Sequence, residues 1–155
     1  MNELARRVGA ALKQRGLLLV TAESCTGGWV AMELTAIAGS SHWFERGYVT
    51  YSNAAKRDDL GVQEETLRRH GAVSEETARE MAAGALKRGG GQVALAITGI
   101  AGPAGGTPAK PVGTVCFAWA YGSKISGESR RFDGDRENVR RQSVLHALQG
   151  VLELL

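Results

Sequence analysis

The chain has 155 residues, with an apolar fraction of 43%, a charged fraction of 23% and a formal net charge of +3. These values are typical of an ordinary globular domain. No run of Lys or Arg forms a nucleic-acid-binding stripe, and no apolar run approaches the roughly 18 residues that a membrane span needs. We therefore expect one domain over residues 1–155, with no nucleic-acid partner and no membrane partner.

Cysteine and histidine usage argues against a metal centre. The two cysteines, Cys25 and Cys116, and the three histidines, His42, His70 and His146, all lack metal-ligand spacing. The amphipathic N-terminus has no hydrophobic signal core, so we expect reduced thiols and a cytoplasmic location. The sequence therefore predicts neither a metal nor another cofactor.

Helical and strand patterns alternate in the first half of the chain. Apolar residues at helical spacing are followed by short β-branched runs, and glycines mark the ends. The predicted elements are a helix over 2–15 ending at Gly16, a buried strand over 17–22, a helix over 26–37, an alternating strand over 45–52, a loop or short helix over 53–61, and a brief helix over 64–71 that stops at Gly71.

The second half continues this alternation. Ser74 is a predicted N-cap of a long helix that ends at the Gly89–Gly91 run, and Asp135 is a predicted cap of the last helix. The predicted strands are 92–99, 112–122 and a more polar edge strand within 125–134. Alternating helices and strands indicate a single α/β domain with three α/β/α layers, and the polar strands indicate a mixed sheet.

The stretch "TAESCTGG" (21–28) follows a predicted strand and opens a helix. Ser24 at such a turn is well placed for nucleophilic attack, and helix-start N–H groups favour a developing negative charge. Two alternatives remain at this point. Ser24 or Thr26 could simply cap the helix, and Cys25 could gain thiolate character there and act as the nucleophile.

The stretch "YVTYSNAAK" (48–56) places Lys56 after a strand with two tyrosines. A Lys held against apolar surface loses its charge more easily and can act as a general base. No convincing Ser-His-Asp set competes with a pairing between Lys56 and Ser24. A local pair between Lys56 and Ser52 is the rival assignment, and a solvated surface Lys is the simplest alternative.

Two further stretches could contact a ligand. The loop "IAGPAGGTPAKP" (100–111) is rich in glycines that can present N–H groups to a phosphate or carboxylate, although an irregular connection has the same composition. Near the last helix start, Arg136 and Arg140 lie one turn apart in "DGDRENVRRQ" (133–142) and could hold a phosphate together. A solvated, charged first turn is the alternative.

Taken together, these stretches resemble the nicotinamide-nucleotide amidases, whose domain also forms the C-terminal part of the CinA competence/damage-inducible proteins. The resemblance rests on five motifs that occur in order along nearly the whole chain: "TAESCTGG", "YVTYSNAAK", "GAVSEETAREMAAGA", "ITGIAGPAGGTPAKPVGTV" and "DGDRENVRRQ". It is closest to the stand-alone form, because the chain has no room for the N-terminal domain of full-length CinA proteins.

The resemblance implies hydrolysis of nicotinamide mononucleotide to nicotinate mononucleotide and ammonia in NAD recycling, by a Ser/Lys dyad without metal. It places the catalytic positions on Ser24, Lys56 and Tyr51, with Tyr51 orienting Lys56 or helping to move the proton. It also matches active-site positions to Thr98 and Arg140, and Arg140 is expected to bind the 5′-phosphate. The expected substrate-binding residues are Glu23, Thr26, Gly27, Gly28, Thr98, Gly99, Gly102 and Arg140.

Some assignments stay open on the sequence alone. Glu23 is either structural or a contact to a ligand hydroxyl. The same loops could also belong to a non-catalytic module that binds a nucleotide or phosphate. Besides the small-molecule substrate, we expect a second copy of the chain as a partner in a homo-oligomer.

Overall fold

The computed structural model covers residues 1–155 and contains six α-helices and five β-strands. The helices are α1 (Asn2–Arg15), α2 (Trp29–Thr35), α3 (Asn53–Leu60), α4 (Glu64–His70), α5 (Glu75–Gly89) and α6 (Arg136–Leu154). The strands are β1 (Leu19–Glu23), β2 (Phe44–Val49), β3 (Val93–Gly99), β4 (Thr114–Tyr121) and β5 (Lys124–Arg131). A short 3₁₀ helix, Ser40–His42, precedes β2.

The five strands form one sheet in the order β2-β1-β3-β4-β5. Strand β1 pairs in parallel with both β2 and β3, whereas β3, β4 and β5 pair antiparallel. The predicted mixed sheet is therefore confirmed. Because β1, β2 and β3 run the same way, the segments that follow β1 and β2 emerge at one edge of the sheet.

Helices cover both faces of this sheet. Helix α5 packs on β1, β3 and β4, and helices α3 and α4 pack against α5. Helices α1, α2 and α6 pack together on the opposite face. Each face has its own apolar core, one centred on Leu12, Leu95 and Leu148 and the other on Val20, Met81 and Ala96. The three α/β/α layers predicted from the sequence are thus confirmed.

Strand composition follows position in the sheet. All five residues of β1 are buried, whereas the edge strands β2 and β5 have only intermediate and exposed positions. The polar strand predicted within 125–134 is therefore an edge strand, as expected. No helix in the structure combines the length and the apolar character needed to cross a membrane.

The predicted helix caps are present. Ser74 Oγ accepts a hydrogen bond from the Thr77 N–H, and the Asp135 carboxylate accepts one from the Asn138 N–H. Gly16 ends α1 with a φ of 64°, in the left-handed region that glycine adopts without strain. The cap rules therefore locate the end of α1 and the starts of α5 and α6.

Helix α2 is shorter than predicted. The sequence indicated a helix over 26–37, but α2 spans Trp29–Thr35. Gly27 and Gly28 have φ values of 59° and 98°, which no right-handed helix can include. Residues 24–28 therefore form a separate turn between β1 and α2.

A buried carboxylate holds the start of α2. Glu23 is fully buried at the end of β1, and its Oε1 accepts hydrogen bonds from Thr26 Oγ1 at 2.7 Å and the Val30 N–H at 2.9 Å. Its Oε2 accepts from the Ala31 N–H at 3.1 Å. An anion here also complements the positive end of the helix dipole. Glu23 thus fixes α2 relative to β1 and shapes the turn between them.

We expect Glu23→Gln to lower the free energy of unfolding by about 2–3 kcal/mol, because an amide has only one acceptor oxygen for these three donors. Urea denaturation followed by circular dichroism measures the change. Glu3→Gln, an exposed substitution on α1, is the matched control and should stay within about 0.5 kcal/mol of the wild type. Equal stabilities of the two variants would contradict the role given to Glu23.

Candidate active site

Ser24 lies in a tight turn directly after β1. Its N–H donates to the Ile97 carbonyl of β3, and its carbonyl accepts from the Gly27 N–H. These two bonds fix the backbone of Ser24 between the ends of two central strands. The side chain is buried, with 7% of the residue exposed. The turn therefore presents a single hydroxyl in a fixed position at the carboxyl edge of the sheet.

Lys56 reaches this hydroxyl from α3. Its Nζ lies 2.9 Å from Ser24 Oγ and donates to the carbonyl oxygens of Thr50 at 2.7 Å and Tyr51 at 3.4 Å. Only 1% of Lys56 is exposed, and no carboxylate bonds to the amine. The amine is therefore a buried base with neutral partners, in contact with the predicted nucleophile.

The rival pairing of Lys56 with Ser52 does not form. Ser52 Oγ accepts from the Ala55 N–H and caps α3, and the Ser52 side chain is exposed. The Lys56 backbone N–H donates to the Ser52 carbonyl as part of the same helix start. Ser52 therefore positions α3, while the Lys56 side chain turns inward to Ser24.

Burial shifts the acid–base properties of both reactive neighbours. It lowers the pKa of the Lys56 amine from 10.5 to about 8, because desolvation disfavours the charged form. It raises the pKa of the Cys25 thiol from 9.0 to about 12 for the same reason. Lys56 is therefore accessible as a neutral base near physiological pH, whereas Cys25 stays a protonated thiol, which weakens the alternative in which Cys25 attacks.

A cavity of about 160 Å³ opens beside Ser24 and Lys56, and we call it the Ser24 cavity. No acidic residue and no histidine lines it, and no His/Cys/Asp/Glu cluster in the structure could hold a metal. The lining residues are Ser24, Cys25, Tyr51, Lys56, Ala72, Val73, Thr98, Gly99, Ala101 and Arg136.

Thr98 and Gly99, two of the residues expected to bind substrate, line the Ser24 cavity at the end of β3. Thr98 Oγ1 donates to the Ala72 carbonyl at 2.8 Å and so holds the loop between α4 and α5 against the sheet. Gly102 lies just beyond the cavity lining, and its carbonyl accepts from Arg136. Glu23 does not line the cavity, because its carboxylate faces the start of α2.

Thr26, Gly27 and Gly28 line a separate cleft with Trp29, Met32 and Arg140. The Gly27 N–H is used within the turn, whereas the N–H groups of Cys25, Thr26 and Gly28 donate to no protein acceptor. Two of these three donors, those of Cys25 and Thr26, directly follow Ser24. This is the arrangement expected of donors to an oxyanion.

The two arginines of the last helix have different surroundings. Arg140 donates to the carbonyls of Cys25 at 3.0 Å and Thr26 at 3.2 Å, and its guanidinium lies 5.3 Å from the Trp29 ring centroid. Arg140 therefore braces the turn that carries Ser24. Arg136, not Arg140, lines the Ser24 cavity, whereas Arg140 lines the separate cleft. The helical spacing left both arginines on one face, and the resemblance placed the phosphate contact on Arg140.

Tyr51 contributes to the site in two ways. Its backbone carbonyl accepts from Lys56, and its phenol oxygen accepts from Arg136 Nη2 at 3.2 Å. The side chain is 63% exposed at the cavity mouth. Tyr51 thus contacts Lys56 through its backbone carbonyl, while its ring lies at the cavity mouth.

The chain is similar to known proteins over nearly its whole length. The model of the family described as CinA C-terminal domain matches residues 1–155. The chain is 59% identical over 151 residues to the nicotinamide-nucleotide amidohydrolase PncC of Escherichia coli K12, covering 96% of this chain and 91% of that protein. It is 54% identical to the Pseudomonas putida protein of the same name, covering 99% and 96% of the two chains.

Solved structures show the same fold. The competence/damage inducible protein CihA from Agrobacterium tumefaciens superposes with a TM-score of 0.96 at 48% identity, covering 99% of this chain and 94% of that one. A CinA-superfamily protein from Klebsiella pneumoniae gives a TM-score of 0.95 at 46% identity, covering 98% and 95%. With a family match over its whole length and relatives above 50% identity, the chain belongs to the CinA C-terminal domain family.

Proposed function

We propose that this protein is a nicotinamide-nucleotide amidohydrolase that converts nicotinamide mononucleotide to nicotinate mononucleotide and ammonia, with Ser24 and Lys56 as its catalytic dyad. The observation that carries the proposal is the 2.9 Å contact between Ser24 Oγ and Lys56 Nζ in a cavity without acid or histidine. The names of the E. coli and P. putida relatives support the substrate class.

The contacts of Lys56 suit a general base. A neutral amine has two N–H groups and one lone pair. The carbonyls of Thr50 and Tyr51 accept the two N–H groups, which leaves the lone pair for the Ser24 hydroxyl. Ser24 Oγ then bonds to the carboxamide carbon while its proton passes to Lys56. The two carbonyls also stabilise the ammonium group that forms.

The backbone after Ser24 supplies the oxyanion contacts. As Ser24 attacks, the carboxamide oxygen becomes negative, and the free N–H groups of Cys25 and Thr26 are the donors nearest along the chain. Glu23 and Arg140 hold this turn from its two sides. These contacts restrain the turn, which supports its proposed role as the source of the oxyanion donors.

The Lys56 ammonium then protonates the amide nitrogen, the C–N bond breaks and ammonia leaves. The product of this step is an ester between Ser24 Oγ and the nicotinoyl carbon. Neutral Lys56 next takes a proton from water, the water oxygen bonds to the same carbon, and the proton returns to Ser24 as the ester breaks. One base therefore serves both halves of the reaction, and the enzyme needs no metal for either.

We expect Ser24→Ala to lower kcat for ammonia release from nicotinamide mononucleotide at least ~10³-fold, because the covalent step is lost. Cys25→Ala should keep activity within a few fold, since its thiol stays protonated. The measurement is a coupled ammonia assay on folded variants. If Cys25→Ala lost the activity and Ser24→Ala kept it, the attack would belong to Cys25. If the wild type bound the nucleotide in calorimetry but showed no turnover, the non-catalytic binding module would be favoured.

The activity should rise with pH. Lys56 acts in its neutral form, and burial lowers its pKa to about 8, so log kcat/KM should increase with unit slope below about pH 8 and level off above it. Initial rates from pH 6 to 10 test this. A profile that is flat across this range, or that falls as the pH rises through 8, would rule out Lys56 as the base.

Lys56→Met should abolish turnover and yet stabilise the fold at pH 7, by about 1–3 kcal/mol, because it removes a buried charge that has no counter-ion. The pKa of Lys56 falls from 10.5 to about 8 on folding, so its protonated form costs stability below about pH 8. The advantage of the Met variant should shrink as pH rises from 8 to 10.5. Urea denaturation at pH 7 and pH 10 measures both values, and a variant that is less stable at pH 7 would contradict the argument.

A further inference from the structure

Two loops contribute to the wall of the Ser24 cavity. The 71–74 loop, between α4 and α5, contributes Ala72 and Val73, and the 100–111 loop, after β3, contributes Ala101. Neither loop contains a helix or a strand, so no regular ladder of hydrogen bonds fixes its backbone. The shape of the cavity therefore depends on the individual contacts that hold these two loops.

The 71–74 loop is tied to the sheet and to α5. Thr98 Oγ1, at the end of β3, donates to the Ala72 carbonyl at 2.8 Å. Thr77 Oγ1, in the first turn of α5, donates to the Gly71 carbonyl at 2.7 Å. Both hydroxyl-bearing residues are buried, so these bonds are shielded from water. They fix one side of the loop, but neither of them reaches the other loop.

Lys110 connects the two loops. Its Nζ donates at 2.6 Å to the carbonyl of His70, the residue that precedes the 71–74 loop, and no hydrogen bond joins the two loops directly. The backbone of Lys110 is itself held in a turn, because the Thr107 N–H donates to its carbonyl at 2.9 Å and its N–H donates to Thr107 Oγ1 at 3.0 Å. A fixed turn of one loop is thus bonded to the backbone that leads into the other.

The surroundings of this bond suit an ammonium group. His70 is the last residue of α4, and the carboxyl end of a helix carries a partial negative charge. A Cβ placed on Gly71 would lie 3.5 Å from Lys110 Nζ, so the amine lies against the loop backbone. Lys110 is half-buried and takes part in none of the seven salt bridges of the structure. Its one hydrogen-bonded partner is therefore the helix end.

Lys110 lies outside the Ser24 cavity. It lines an adjoining cavity of about 450 Å³ together with Glu75 and Glu76, and Val73 lines both cavities. The two carboxylates disfavour an anionic nucleotide beside Lys110. An effect of Lys110 on the reaction would therefore pass through the cavity wall and not through contact with the substrate.

We propose that Lys110 is a positioning residue that holds the two loops at the spacing at which the Ser24 cavity directs a carboxamide at Ser24. Attack requires the reacting atoms to be roughly 3–3.5 Å apart and aligned, so a small displacement of the wall is enough to slow it. Without the amine, the 100–111 loop loses its link to the backbone before Ala72 and Val73. This inference rests on the proposed amidohydrolase function.

The test compares Lys110→Met, which keeps most of the side chain but lacks the amine, with the wild type. We expect kcat for ammonia release from nicotinamide mononucleotide to fall about 10- to 100-fold with KM changed less than about threefold, because the nucleotide still binds but is less often aligned for attack. The midpoint of the pH profile should not move, since Lys110 does not contact Lys56. Lys110→Arg should restore part of kcat, because a guanidinium can donate to the same carbonyl. Lys124→Met removes the same charge at an exposed position of β5 and should leave both constants unchanged.

Hydrogen–deuterium exchange provides a readout that needs no turnover. Peptides covering 71–74 and 100–111 should exchange roughly tenfold faster in Lys110→Met than in the wild type, while peptides from β1 and β3 exchange equally in both. Absence of ammonia release by the wild type would refute the proposed function, and the exchange rates would still decide whether Lys110 holds the loops.

Three results would overturn the inference. A loss confined to KM would make Lys110 a substrate contact. A shifted pH midpoint would mean that Lys110 acts on the charge of Lys56. Unchanged exchange in both loops, or an unchanged kcat, would show that the bond to His70 does not position the cavity wall.

Discussion

The proposed chemistry of this site depends on the burial of one amine without a counter-ion. Lys56 is 1% exposed, yet its partners are two backbone carbonyls and the Ser24 hydroxyl. A carboxylate beside it would stabilise the ammonium form and remove the base. Burial of the Lys56 amine is therefore unfavourable for the folded state. The carbonyls of Thr50 and Tyr51, which follow β2, reduce this cost by accepting its hydrogen bonds. Under the proposed mechanism, the fold loses stability at the residue that supplies the base.

The topology of the sheet brings the two reactive groups together. Strands β1 and β2 are parallel neighbours, so Ser24 after β1 and the segment leading to Lys56 after β2 leave the sheet at the same edge. Strand β3, parallel to β1 on its other side, adds Thr98 at that edge. Residues far apart in sequence therefore meet without any long excursion of the chain. Helix α5 on one face and α6 on the other then close the walls of the cavity.

Local rules predicted most of the fold, and together with the family resemblance they singled out Ser24 and Lys56 as candidates. The strand end at Ser24, the caps at Ser74 and Asp135, and the mixed sheet all follow from short-range patterns. The shortened α2 could not be foreseen, because the left-handed conformations of Gly27 and Gly28 are set by the turn that Glu23 holds. Which of Arg136 and Arg140 lines the Ser24 cavity depends on the distances at which α6 crosses the Ser24 turn. Such a tertiary distance has no signature in one sequence.

Arg140 holds a turn near the start of the chain from a helix that is synthesised much later. Its guanidinium donates to the Cys25 carbonyl across 115 positions, and it comes from α6, which is synthesised after all five strands of the sheet. During translation the strand that leads to Ser24 is made early, but the brace on the backbone after it is made only after the whole sheet. A nascent chain that ends before α6 therefore lacks one of the contacts that hold the turn of the proposed nucleophile, Ser24. In this fold the proposed catalytic turn is fully braced only after α6 has been made.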